Sequence, residues 1–387
     1  MLYRPLKEIP VSILGFGAMR LPLVGGTQAP TDSFDPVRSI DQEETARMIE
    51  YAIDHGVNYF DTAYVYHGGK SEAVLGKLLK PYRDRVLIAT KLPVFLLKER
   101  DDFDRILGEQ LKRLQTDHLD VYLLHGLNAQ TWHKSKDQGV LTFLDQAKLD
   151  GRVRQVGFSF HDTLAIFKDI ADAYDWDVCQ IQYNYLDERY QAGTEGLRYA
   201  ASKGFGVVVM EPLRGGKLAK VPAEVLRLLE SSRTKRQPAE WGLRWVWNHP
   251  EVATVLSGMS SLDQVRENIG FAEGGGAGSL SDEDLALIDE AHKTYRTLLK
   301  VDCTGCAYCM PCPSGVNIPM NFSFYNDVVT FKDPTGAMVY NEFMSPEQKA
   351  SACSECGECE EKCPQQIPIR EELKKVHATL HREAGKG

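Results

Sequence analysis

Short apolar runs rich in β-branched residues recur at even spacing over the first two thirds of the chain. They are "VSILGFG" from Val11, "VNYFDTA" from Val57, "VLIATK" from Val86, "LDVYLLH" from Leu119, "VRQVGFS" from Val153, "DVCQIQ" from Asp177, "FGVVVM" from Phe205 and "VATVLSG" from Val252. Between them lie amphipathic segments with helical spacing, such as "ETARMIEYAIDHG", "FDRILGEQLKRL" and "GLRYAASKG". Strands alternating with helices build parallel βαβ units. Eight such units fit an α/β fold of the closed (β/α)8 barrel type, a TIM barrel, with a doubly wound open sheet as the alternative. Two polar stretches, "VGGTQAPTDSFDP" after the first strand and "GLNAQTWHKSKDQG" after the fourth, read as substrate loops.

"FAEGGGAGSL" breaks the pattern. The segment after it begins with Ser281 and Asp284 at capping-box spacing, which predicts a helix leading out of the barrel. Residues 1–296 are therefore expected to form the barrel and residues 297–387 a small second domain. Eight of the nine cysteines fall in that second part.

With 43% apolar and 26% charged residues and a net charge of −9, the chain is globular and a poor partner for nucleic acid. No apolar run approaches the roughly 20 residues that span a membrane. The N-terminal stretch lacks a signal-peptide layout, so a cytoplasmic setting is expected. Disulfides are rare there, and clustered cysteines point to metal.

In a (β/α)8 barrel, chemistry sits where strands give way to loops. The second strand ends in Asp61, with Tyr66 five residues on; the third ends in Lys91 and the fourth in His125. A free tyrosine titrates near pH 10, too high for acid–base work at neutral pH, and a nearby ammonium lowers it. Lys91 would be that cation, and Asp61 would keep it charged. His125 would orient a substrate oxygen. Tyr66 would give a proton to a carbonyl oxygen as hydride arrives at carbon, or take one from an alcohol. Isolated polar caps at strand ends are the alternative.

These residues and the segments "LGFGAMRLP", "FDTAYVYHGGKSEAVLG", "ATK", "DVYLLH", "VGFSF", "QIQYN", "MEPLRGGKL" and "SGMSSLDQVRENIG" resemble, in order, the aldo/keto reductase family. The resemblance covers residues 1–296 and implies NAD(P)H-dependent carbonyl reduction without flavin, with Asp61, Tyr66, Lys91 and His125 as the catalytic tetrad. It places Gly17, Ala18 and Met19 beneath the nicotinamide, and Ser159 and Gln180 on its carboxamide. Met210 stands where an aromatic residue usually stacks on the ring, and Phe160 where an asparagine often follows the serine. Pro212, Leu213, Gly215 and Gly216 match the loop around the pyrophosphate. Gly258, Ser260, Gln264 and Asn268 match the adenosine segment, with an N-cap for Ser260 and a solvent-facing side chain for Asn268 as the plainer readings. Relatives that prefer NADP carry a lysine or arginine in that segment; here Gly258 and Gln264 stand there and Arg266 points elsewhere, leaving NADP or NAD. His67, where relatives often have glycine, is either a substrate contact or simply exposed. Trp132 is a second candidate for the substrate pocket, whereas Trp241, Trp245 and Trp247 read as packing.

In the tail, Cys353-x2-Cys356-x2-Cys359-x3-Cys363-Pro364 has the bacterial ferredoxin spacing for a [4Fe-4S] cluster. That is the second run; the first, Cys303, Cys306, Cys309 and Cys312, is one residue shorter before its last cysteine. Because the cysteine before proline ligates the other cluster in such modules, Cys303, Cys306, Cys309 and Cys363 would hold one cluster and Cys353, Cys356, Cys359 and Cys312 the other. A helical insertion near 318–350 separates the halves of this ferredoxin-like domain. Three-thiolate ligation of one cluster and two zinc sites are the alternatives. Cys179 reads as buried packing.

Two functions follow. One is a reductase of a small carbonyl or alcohol whose tail is structural, metal supplying folding energy that a segment with few large apolar groups lacks. In the other, the clusters exchange electrons with a ferredoxin or flavoprotein partner. A barrel that binds without catalysis is a third, disfavoured by the intact tetrad.

Overall fold

The computed structural model describes residues 1–26, 37–303, 305, 308–363 and 365–383. Ten strands occur among them: β1 Tyr3–Leu6, β2 Ile9–Ser12, β3 Leu14–Gly17, β4 Tyr59–Asp61, β5 Leu87–Leu92, β6 Leu119–Leu127, β7 Val153–Phe160, β8 Val178–Gln182, β9 Gly206–Met210 and β10 Val252–Ser257. Strands β3 to β10 close into a barrel in sequence order, β10 pairing back onto β3, with every pair parallel. The expected eight strands are these eight, and the open-sheet alternative falls.

The first run divides in two. Ile9–Ser12 turns away from the barrel and pairs antiparallel with Tyr3–Leu6, and only Leu14–Gly17 enters the barrel. The hairpin caps one end: the Gln155 side chain donates to the Leu6 carbonyl at 3.0 Å, and a Cβ on Gly206 would lie 2.5 Å from the Leu6 side chain. Leu6 and Val11 share a core with Tyr59, Ala89, Val121 and Val208. Since Gly206 opens β9 and Gln155 lies near the start of β7, the hairpin covers the N-terminal end and leaves the C-terminal ends of the strands for a site.

The stretch after β6 is not a loop. Ala129–Asp137 is a helix, started by a reciprocal Asn128–Thr131 capping box. Trp132 points into the core beside Trp176, its ring nitrogen donating to Asp169 at 3.2 Å, so burial removes it as a substrate contact. Trp241, Trp245 and Trp247 are buried, and so is Cys179. Of the first polar stretch, residues 27–36 lie outside the described residues.

Contacts divide the chain into two compact units. One holds 1–28, 32–219 and 236–285; the other includes 220–235 and 286–387. The helix Asp282–Leu298 runs through the junction, and its start is the expected box, Ser281 and Asp284 exchanging bonds of 3.3 and 3.1 Å.

In the second unit, helices Ile318–Phe331, Thr335–Glu342 and Ile369–Glu383 enclose a core of Phe322, Tyr325, Tyr340, Leu373, Val376 and Leu380. The first two helices form the expected insertion. The segment is richer in buried apolar side chains than its cysteine-dense sequence implies, because the insertion and the last helix supply them.

Candidate active site

Asp61 is the last residue of β4, register partner of Gly17 on one side and Ala89 on the other. Lys91 lies on β5, opposite Leu123 of β6. Its ammonium donates to Asp61 Oδ1 at 2.6 Å and to the Thr62 carbonyl at 2.7 Å, and stands 3.4 Å from the Tyr66 hydroxyl. Asp61 and Lys91 are 2% and 1% exposed, so this ion pair is out of bulk water. Burial works against the Lys91 charge, but Asp61 and Tyr66 outweigh it and hold the ammonium above its ordinary pKa.

Tyr66 opens a tight turn, Tyr66–Gly69, in which His67, Gly68 and Gly69 take left-handed backbone. The Tyr66 ring meets the His125 ring edge-on at 6.0 Å and has Lys91 4.9 Å from its centre. Lys91 pulls the phenol pKa down, as expected, yet burial pushes harder and Asp61 adds to it, so the net shift is upward. In this state Tyr66 is a protonated acid. His125 is driven well below its ordinary pKa by burial, with Lys91 adding to the effect, so its imidazole is neutral. Its Nδ1 is buried without a hydrogen-bond partner among the described residues. The four predicted residues thus converge.

Support comes from residues that sequence reasoning missed. Gln110 donates to the Lys91 carbonyl at 3.0 Å and to the buried carboxylate of Glu72 at 2.6 Å, which also takes Thr90 and Arg113. His67 is 4% exposed, and its Nε2 accepts the Leu21 amide at 3.2 Å. It is neither exposed nor free for substrate. Burial lowers its pKa to about 4, which keeps the accepting nitrogen unprotonated.

The expected nucleotide residues lie on β3, β7, β8, β9 and β10 or in the segments that follow them. Gly17 leads into the turn Ala18–Arg20, and a Cβ on it would come 3.3 Å from the Ser257 carbonyl. Ser159 accepts the Gly126 amide at 2.8 Å. Its register partner Gln180 donates to Met210 Sδ at 3.5 Å, while its amide oxygen is buried with no partner among the described residues. Pro212 and Leu213 precede the turn Arg214–Gly216, where Gly215 and Gly216 have φ of 68° and 97°. Gly258 follows β10. Ser260 does not cap the next helix, Leu262–Ala272; Ser261 does, and Ser260 Oγ donates to the Arg20 carbonyl at 2.8 Å. Gln264 accepts the Ser260 amide at 2.8 Å. Asn268 does not face solvent: it is buried and donates to Ser257 at 2.9 Å.

In the second unit Cys303, Cys309, Cys312, Cys353 and Cys363 are half-buried, Cys356 is exposed and Cys359 is buried, none of them in a disulfide. Cys306 lies outside the described residues. Of the described cysteines here, all but the exposed Cys356 pack in or against the unit's apolar core. Burial, and to a lesser degree the neighbouring Glu360, raises the Cys359 thiol. Among the described residues no three metal-ligating side chains gather as around a single ion. In a cubane each thiolate holds its own iron.

Residues 14–293 match the aldo/keto reductase family, and residues 302–367 match a 4Fe-4S dicluster domain. The chain is 29% identical over 287 residues to L-galactose dehydrogenase of Arabidopsis thaliana, covering 67% of this chain and 84% of the relative. It is 24% identical to the NADH-specific methylglyoxal reductase of Escherichia coli, over 74% of this chain and 98% of the relative. Among solved structures, the holo form of an aldo-keto reductase from Bacillus halodurans matches with a TM-score of 0.62 at 28% identity, over 75% of this chain and 96% of that one. A closed eight-stranded barrel with this arrangement at its mouth, matched over most of its length, makes the chain a member of the aldo/keto reductase family, with a 4Fe-4S dicluster domain C-terminal to its barrel.

Proposed function

We propose that the chain is an NAD(P)H-dependent oxidoreductase that reduces a small carbonyl to an alcohol, or the reverse, in the cytoplasm, with residues 1–296 carrying the reaction and 297–387 two [4Fe-4S] clusters. The buried contact between Lys91, Asp61 and the Tyr66 hydroxyl carries this reading. A protonated phenol beside a fixed ammonium donates a proton to an oxygen that becomes negative, and the ammonium stabilises the phenolate left behind. Neutral His125 orients the substrate oxygen without competing for the proton.

The residues present suit a nicotinamide dinucleotide. The partnerless amide oxygen of Gln180 is an acceptor suited to a carboxamide, with Ser159 on the next strand. A bound reduced nicotinamide would supply hydride. The thiols of the second unit suit iron–sulfur clusters, which would supply one-electron transfer or structural rigidity.

A second reading follows from the dicluster domain: the clusters exchange electrons with a ferredoxin or flavoprotein. Hydride moves two electrons and each cluster one, so coupling to the barrel needs a mediator. Anaerobic titration of the holoprotein with NADPH and with NADH, followed by absorbance and EPR and then by a panel of carbonyl substrates, tests both. The first reading expects nucleotide binding, carbonyl-dependent oxidation of the nucleotide and clusters that stay oxidised. Cluster reduction without carbonyl turnover would favour the second, and absence of nucleotide binding would overturn the first.

A further inference from the structure

We propose that Arg20 anchors the diphosphate of the bound dinucleotide; the proposal rests on the nucleotide-binding reading of the barrel. Arg20 closes the turn Ala18–Arg20 at the end of β3. Its main chain is fixed from the loop after β10, where Ser260 Oγ donates to its carbonyl at 2.8 Å. Its stem lies on Gly258: a Cβ there would sit 3.2 Å from Arg20 Cδ and 3.4 Å from its Cβ and Cγ. Its guanidinium reaches Gly215, where a Cβ would sit 3.3 Å from Nη2 and where φ is +68°. One side chain therefore touches both glycine-bearing loops, the one after β9 and the one after β10.

That guanidinium is half-buried and has no hydrogen-bond or ion-pair partner among the described residues. Its neighbours in the fold differ. Arg214 leans on Asp187 at 3.5 Å, Arg47 on Glu43 and Glu44, and Arg266 on Asp263 at 3.3 Å. An arginine fork with no protein acceptor is open to an anion, and its planar N–H groups match phosphate oxygens two at a time. The position selects which phosphate. Arg20 directly follows the Gly17–Met19 segment assigned to the nicotinamide end and rests on Gly258 at the adenosine end. The diphosphate is the group that joins those ends. Glycine at 215 and 258 leaves the guanidinium open and lets backbone N–H groups approach the same anion.

The test is the dissociation constant of NADH and of NADPH for the anaerobic holoprotein, read by nucleotide fluorescence, in wild type, Arg20→Met and Arg20→Lys. Methionine keeps the packing on Gly258, and the Ser260 bond to the main chain survives. The expected result is a rise of roughly tenfold or more in both constants for Arg20→Met, by the same factor, with partial recovery in Arg20→Lys and an unchanged circular dichroism melt. Added salt should weaken nucleotide binding to wild type more than to Arg20→Met. A rise for NADPH alone would assign Arg20 to the 2′-phosphate and overturn the proposal, as would unchanged constants. If wild type binds neither nucleotide, the reading beneath the proposal falls with it.

Discussion

The Lys91 ammonium stands 3.4 Å from the Tyr66 hydroxyl while bonded at 2.6 Å to Asp61, so a buried cation is fixed beside a half-buried phenol. The phenol is nonetheless protonated, because burial outweighs Lys91. Carbonyl reduction uses that protonated form, and alcohol oxidation needs its conjugate base. Reduction should hold a plateau across neutral pH, with no limb near pH 6.5 since His125 titrates far lower, while oxidation should speed up as pH rises. Tyr66→Phe should cut turnover by about 10²- to 10⁴-fold, the usual worth of a general acid, and leave nucleotide affinity unchanged. Turnover that survives the change would remove Tyr66 from the reaction.

Much of this was legible from residue order. The barrel strands are continuous β-branched runs because both faces of a parallel strand are covered. The meeting of Asp61, Tyr66, Lys91 and His125 was legible because strand ends converge in this fold. The hairpin β1–β2 was not: "YRPL" and "IPVS" each carry a proline and alternate weakly. The helix Ala129–Asp137 read as a loop, although its Asn128–Thr131 box was a signal in plain sight. Arg20 was invisible, since its surroundings come from Gly215 and Gly258, far away in the chain.

His67 shows the same limit and yields a prediction. Its φ of 51° is where glycine is easiest, yet its ring is held by the Leu21 amide. Its pKa is about 4 when folded and near 6.5 when unfolded. Between those values the unfolded chain binds the extra proton, so stability falls as pH falls through that window, by at most about 3 kcal/mol. His67→Asn keeps an acceptor and tolerates left-handed backbone. Its tryptophan-monitored unfolding midpoint should stay near wild type at neutral pH and lose less on acidification, with substrate KM unchanged. Parallel acid profiles for the two proteins would refute this.

Lys91→Met should damage more than catalysis. It leaves the Asp61 carboxylate buried without a cation and takes the donor from the Thr62 carbonyl. Breaking one side of a buried pair costs about 3–5 kcal/mol. Lys91→Met with Asp61→Leu removes both charges and should recover most of that stability while remaining inactive. A double variant no more stable than the single one would show that the ion pair does not govern the loss.

The second unit divides its stability between two sources. Phe322, Tyr325 and Tyr340 give it an apolar core, and the cysteines pack around that core rather than replace it. Removing one cluster should therefore loosen the unit without dissolving its helices. Wild type should hold about eight iron atoms per chain and Cys353→Ser with Cys356→Ser about four, with helical circular dichroism largely retained. The proline-linked cysteines sharpen the test. If Cys312 closes the cluster of the second run, Cys353 to Cys363, then Cys312→Ser should perturb that cluster's EPR signal and spare the other, although in sequence Cys312 ends the first run. Perturbation of the first run's cluster instead would mean that each run closes its own. Zinc in place of iron in anaerobically prepared protein would overturn both arrangements, because a zinc site needs four thiolates drawn to one ion and the CxxCxxC triples are spaced for a cubane.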